Sequence, residues 1–457
     1  MAIRSAVILG VFASSLLAGV AWAEVPAEVV GRLGQDLTPL GSQKSGNKDG
    51  TIPEWTGGLA EIPPNVTYKA GDRYPDPFAN DKPLYTITSA NMAQYADKLT
   101  EVSTSLLRTY PDAYKMNVYP TRRSCANPPS IYEANRKSAA NSSMSPSGDG
   151  FTGAINSSPF PIASNANELM FNQRLQYRGY KITRQYATAA PTRSGEYSIY
   201  TVQDEVIFPW SDPSITSTEE LNNIWAYYIN NTVAPARAAG NVVLIHDTID
   251  AVKGARKAWV YSPGTRRVRR APNIGYDNPS FNDDGLSTID QFNMFNGALD
   301  RYDWSYNGRS EAIISYNNYR LASADVKYSD LFKPSVINQD YPRYELHRNH
   351  VITANLRSDT RHIYKKRIFW QDEDSFNTVA SSNYDARDKI WRVHEEFPYV
   401  HYGVPACNLA GSVVYDLNAG RYTAQEFFNE EPSINHMADE LTLERYTPDY
   451  IRRIGVR

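Results

Sequence analysis

The sequence predicts a β-rich α+β fold: an antiparallel meander of strands with amphipathic helices over one face. Three observations carry that prediction. Beyond Phe151, apolar and aromatic runs of strand length recur between clusters of turn residues. The turns at 357–360 and 385–388 are a few residues long, which joins antiparallel neighbours, whereas a parallel crossover needs about a dozen residues or more. The 457 residues include 32 Tyr, 15 Phe and 8 Trp against 7 Met and 2 Cys, a balance that favours strands and amphipathic contact surfaces.

Taken in order, the chain opens with Arg4, an apolar run over 6–20 and Ala21-Trp22-Ala23, the pattern of a secretory signal peptide (1–23) cleaved between Ala23 and Glu24. About 15 apolar residues fall short of the roughly 20 that span a bilayer. No Cys follows the cleavage point to accept lipid, so the expected product is exported and unanchored, which in a Gram-negative cell places it in the periplasm. Residues 24–150, rich in Pro, Gly, Asn and Ser, read as an N-terminal arm with one amphipathic helix over 89–110. Met92, Tyr95, Leu99, Val102 and Leu106 give that helix its period, Ser89 caps it and Pro111 ends it. The tract 137–150 has linker composition. Strands are predicted at 197–208, 241–248, 256–262, 310–316, 344–356, 361–370 and 389–397, and a second amphipathic helix at 217–233, with Leu221, Ile224, Trp225, Tyr228 and Ile229 on one side.

Lys and Arg total 47 against 50 Asp and Glu, a formal net charge of −3 that argues against a nucleic-acid partner. Cys125 and Cys407 are too far apart for a CxxC motif. In an oxidising compartment they either pair or stand as separate buried thiols; pairing, the expectation, closes a loop of about 280 residues, worth roughly 5 kcal/mol in the chain-entropy model. Arg266, Arg267, Arg269 and Arg270 look like a polyanion patch. Strand alternation divides them between two faces, however, so an ion-pair ladder with Asp283, Asp284, Asp300 and Asp303 is expected instead. The stretch 45–56 imitates a calcium loop through Asn47, Asp49 and Gly50, but Ser45 and Thr56 stand where carboxylates are required, so it reads as a structural turn. His347, His350 and His362 share one predicted hairpin, followed by Asp372, Glu373 and Asp374. His347 and His350 would face opposite sides of a strand, and no metal site is expected. With no HExxH, GxSxG, P-loop or dinucleotide fingerprint, no cofactor is expected and the chain is read as non-enzymatic.

The segments GNKDGTIPEWTGG (46–58), RRSCANPP (122–129), FPIASNANELMFN (160–172), WVYSPGTRRVRRAPNIGYD (259–277), FNGALDRYDW (295–304), RYELHRNHVITANLR (343–357), HIYKKRIFWQDEDSF (362–376) and YDLNAGRY (415–422) together resemble the bacterial family catalogued as domain of unknown function 1329. The tract around Trp259 and Arg270, and YDARDKIWRV (384–393), also look like strands of the outer-membrane lipoprotein sorting proteins, the LolA and LolB group. The resemblance implies that 151–457 form a large curved antiparallel half-barrel with helices on its concave face, around a hydrophobic cavity. It also implies a periplasmic binding or transfer protein for a lipid or other hydrophobic molecule. Candidate lining residues are Trp259, Tyr261, Trp370 and Trp391 on the sheet, with Trp225 and Tyr228 on the second helix. The alternatives are an adaptor docked on an outer-membrane or exporter partner, and an exported hydrolase using dispersed residues near His347 or His362.

Overall fold

A computed structural model describes residues 25–271 and 276–455; the signal segment and its cleavage point between Ala23 and Glu24 lie outside them. Seventeen strands are described, in chain order β1 (Tyr85–Ile87), β2 (Met116–Val118), β3 (Ser143–Met144), β4 (Phe151–Thr152), β5 (Lys181–Ala189), β6 (Ile199–Ile207), β7 (Ile224–Ala234), β8 (Val242–Thr248), β9 (Lys257–Ser262), β10 (Arg267–Arg270), β11 (Tyr302–Ser315), β12 (Tyr344–Leu356), β13 (Lys366–Asp372), β14 (Thr378–Tyr384), β15 (Ile390–His401), β16 (Ala406–Asp416) and β17 (Arg421–Phe427). The helices are α1 (Ala27–Val30), α2 (Glu101–Thr109), α3 (Pro129–Asn141), α4 (Ala166–Leu175), α5 (Tyr328–Leu331) and α6 (Pro448–Gly455). None is long and apolar enough to cross a membrane.

All strands but the β3–β4 hairpin join one 15-stranded sheet, in the order β1-β2-β12-β13-β14-β15-β16-β17-β5-β6-β7-β8-β9-β10, with β11 also on β12. Every pairing is antiparallel except the Tyr344–Val118 contact of β12 with β2, and the two ends do not meet. Residues of β17, β5, β6, β7, β8 and β9 line one cavity. Strands about 4.8 Å apart would spread such a set over roughly 24 Å if flat, so the sheet curls around this space.

The middle of the sheet is covered on both faces, and β14 is buried at every residue. Trp370 and Phe369, adjacent on β13, enter different cores: Trp370 packs with Ile87, Val102, Tyr316 and Phe397, and Phe369 with Phe171, Trp304 and Ile352. A third cluster seats α6, through Ile451, on Leu244 and Tyr261. Cys125 and Cys407 form a disulfide with their Cα atoms 5.7 Å apart, tying the segment before α3 to the start of β16. The 45–52 loop closes on itself, the Asn47 Oδ1 accepting from the Ile52 amide at 2.9 Å.

Local sequence accounts for the differences from expectation. In place of a helix over 217–233, a 3₁₀ turn at Glu219–Leu221 ends in Asn222 and Asn223, both left-handed at φ 50° and 66°, and the chain leaves as β7. Ile224, Trp225, Tyr227, Tyr228, Ile229, Thr232 and Val233 are strand formers, and β6 and β8 satisfy both edges of the strand, so pairing overrides the helical spacing. The helix over 89–110 divides into a 3₁₀ turn, Met92–Tyr95, and α2, because Thr100 caps α2 by accepting from the Ser103 amide at 3.1 Å. The stretch 24–150 holds two helices of more than two turns, α2 and α3, rather than one, and the expected linker is the end of α3 and the β3–β4 hairpin. The expected ion-pair ladder does not form either. Arg266, Arg267, Arg269 and Arg270 are exposed on the edge strand and its turn and make no ion pair among the described residues. Asp284 pairs with Arg421 and Asp283 accepts from Ser287 and Gly285 instead.

Glu395 on β15 is buried, with Tyr114 and Tyr344 donating to it at 2.8 and 3.3 Å; burial nevertheless pushes its carboxyl from 4.5 up to about 7. The folded chain therefore keeps a proton that the unfolded chain releases between those values, and this group costs stability as pH rises through that window, at up to about 1.4 kcal/mol per pH unit. Glu395→Gln removes the dependence. The denaturant-derived stability difference between variant and parent should widen steadily from pH 4.5 to 7, most steeply near the middle of that window, and a flat difference would contradict it.

Candidate functional site

The cavity enclosed by the curled sheet has a volume of about 380 Å³, with a 60 Å³ extension sharing Arg178, Tyr228, Phe292, Asn293 and Glu426. One wall is sheet: Tyr186, Val202, Trp225, Tyr228, Val243, Ile245 and Val260. The opposite wall is the segment 280–296, which contributes Phe281, Ile289, Phe292 and Phe295 and contains a single 3₁₀ turn, Ile289–Gln291. Helix α4 adds Arg174 beside it, so the concave face is roofed mainly by irregular chain rather than helices. At the rim Phe281 is 49% exposed.

Buried polar contacts hold this roof. Arg367, wholly buried, donates to Asp290 at 2.8 Å, to Asn383 at 2.9 Å and to the Met294 carbonyl at 3.1 Å. His362 lies 3.1 Å from the same Asp290 oxygen. Burial alone would raise the Asp290 carboxyl, but Arg367 and His362 outweigh it and hold it at about 2. Arg392 donates to the Gly285 carbonyl, Tyr364 to Gln291, and Gln425 to Ser287. At the cavity wall, Arg256 grips Asp247 through two bonds of 2.9 Å and reaches Asn296 at 3.0 Å, while Arg174 lies 3.5 Å from Asp247. Burial would raise Asp247 as well, and these arginines hold it down.

Of the six aromatics expected to line a cavity, Trp225 and Tyr228 lie on its wall, carried by a strand rather than a helix. The other four lie elsewhere. Trp259 and Tyr261 flank Val260 and, by strand alternation, point to the opposite face, under α6. Trp370 is in the other core, and Trp391 donates to Asp416 at 3.0 Å. The arginines, Asp247, Glu426 and the roof phenylalanines were not anticipated. Asn165 followed by Glu168 is a readable helix start that would have located α4 and Arg174, since Asn165 accepts from the Glu168 amide at 3.0 Å.

The histidines are not brought together. His350 bonds Tyr306 at 2.9 Å and burial lowers it to about 3; His362 serves Asp290. His347, Asp372 and Asp374 do converge, with candidate ligand atoms within 4.8 Å of one another. Their chemistry is that of an ion network rather than a metal cage. Both Asp374 oxygens accept from Arg123 at 2.7 Å, His347 Nε2 lies 3.1 Å from Glu345, Arg348 pairs with Glu373 at 3.0 Å, and the Tyr316 ring stacks on His347 at 3.9 Å.

These features define an open-sheet protein with a roofed, largely apolar internal cavity. The chain belongs to the family described as protein of unknown function DUF1329, whose model matches residues 86–452. It is 41% identical over 451 residues to the uncharacterized protein PA3922 of Pseudomonas aeruginosa, covering 98% of each chain. Among solved structures it is similar to a DUF1329 family protein from Desulfovibrio piger, with 12% identity, a TM-score of 0.42, and coverage of 62% of this chain and 96% of the other. It is also similar to the LolA superfamily protein NE2245 from Nitrosomonas europaea, with 11% identity, a TM-score of 0.39, and coverage of 63% and 100%.

Asp290→Asn leaves Arg367 buried without its counter-charge. A loss of about 3–5 kcal/mol is expected in denaturant unfolding at neutral pH, together with faster proteolysis within 276–301. A loss below about 1 kcal/mol would show that the pair does not hold the roof.

Proposed function

We propose that the protein binds and carries a hydrophobic or amphiphilic molecule in the periplasm, without covalent chemistry. One observation carries this reading: a cavity walled by Tyr228, Val243, Ile245, Val260 and Phe292 between the sheet and its roof. Its volume lies in the range of small-molecule sites, roughly 300–1,000 Å³, and apolar surface moved there from water gains about 25 cal/mol per Å². That size suits a single apolar chain or ring system rather than a lipid with several acyl chains. Export rests on the leader read from the sequence, and the Cys125–Cys407 bond is compatible with an oxidising compartment.

A second reading, an adaptor for an outer-membrane or exporter partner, is favoured by the four exposed arginines at the β10 edge, which form no ion pair with a described residue. The two readings separate experimentally. Protein purified without detergent, extracted into organic solvent and examined by mass spectrometry should release a stoichiometric apolar compound if it is a carrier. Ile245 is half-buried on the cavity wall, so Ile245→Trp should fill the space and weaken binding of an uncharged environment-sensitive dye at least tenfold, with little change in melting temperature. Unaltered dye binding by that variant, with no extractable compound, would favour the adaptor.

A further inference from the structure

Among the cationic side chains lining the cavity, Arg178 is set apart by its lack of an anion. Arg174 and Arg256 share Asp247, and Arg184 lies between Asp204 and Glu426. The spare positive charge of the first group and the spare negative charge of the second offset one another. Arg178 forms no ion pair with any described residue. Its Nη2 donates to the Gln173 carbonyl at 3.4 Å and, with the Gln176 amide turned to satisfy both its ends, to the Gln176 oxygen at 2.6 Å. Nε and Nη1 make no hydrogen bond to a described residue, and the side chain lines both the main cavity and its extension.

The carboxyl groups facing this position do not supply the missing charge. Glu396 is 1% exposed, makes no ion pair with Arg178, its Oε1 has no partner, and burial together with the Glu426 charge raises its carboxyl well above the usual range. Glu426 is engaged by Arg184. Burial works against the charge on Arg178 as well. A guanidinium does not give up its proton, so an incoming anion is what relieves that cost.

We infer that Arg178 binds the acidic head group, carboxylate or phosphate, of a single-chain amphiphile whose apolar body lies along Tyr228, Ile245, Val260 and Phe292. This rests on the carrier reading and specifies its ligand. A guanidinium with two unengaged nitrogens suits paired oxygens, which an alcohol or ester lacks.

The test measures displacement of an uncharged dye from the full mature chain by a long-chain fatty acid, the alkyl phosphate of equal length and the matching alcohol. Both acids, or one of them, should bind at least about tenfold more tightly than the alcohol, and whichever acid is favoured identifies the head group. Arg178→Gln should bring the acids to the alcohol's level, and Arg178→Lys should keep part of the preference, with melting curves confirming that both variants fold. Equal binding of acid and alcohol by the parent, or an undiminished preference in Arg178→Gln, would overturn the inference while leaving the carrier reading in place. Failure of the parent to bind the dye or any of the three compounds would overturn both.

Discussion

Arg367 and Asp290 meet at 2.8 Å with their side chains sealed from water, one on the central sheet and the other on the segment that roofs the cavity. That segment has little regular structure of its own, so its position depends on the side chains that answer it from the sheet. The choice of a buried ion pair is informative. An apolar contact tolerates sliding, whereas a guanidinium shared among Asp290, Asn383 and the Met294 carbonyl fixes register and distance together. The aromatic wall made by Phe292 and Phe295 is therefore held at a set height above the strands, and the space beneath it is a standing cavity rather than a gap that closes on collapse.

Side chains of the concave face divide between those that hold the roof and those that line the space beneath it. Under the roof's anchoring half, β13, β15 and β17 present Arg367, Arg392 and Gln425, each bonded to the segment above. Beyond it, β7, β8 and β9 present Tyr228, Ile245 and Val260 to free space. Strand alternation then decides which aromatics can meet a cargo. Val260 faces inward only because Trp259 and Tyr261 face outward to α6, so the large rings of that strand serve stability and a compact aliphatic side chain serves the cavity.

Much of the sheet was legible in the sequence. The strand read at 344–356 has those bounds in the structure, and those at 241–248 and 256–262 are displaced by a single residue at one end. These strands are uninterrupted apolar or alternating runs whose pattern is local. The stretch 217–233 misled because Leu221, Ile224, Trp225, Tyr228 and Ile229 satisfy a helical period while their strand preference and the Asn222-Asn223 break point the other way. The cavity was much less legible. Trp225 and Tyr228 could be named from their size, but the roof owes its place to contacts over 70 or more residues, such as Arg367 with Asp290. No window of sequence contains both partners.

An open sheet ends in a strand with unused hydrogen-bonding groups, and here the last strand is β10. A second copy aligning there would bring two sets of four arginines, none ion-paired with a described residue, to within strand spacing of each other, about 4.8 Å. Whatever else these residues meet, they make edge-to-edge growth of the sheet repulsive. Charge along the β10 margin thus works against strand-to-strand joining of two copies at that end of the sheet.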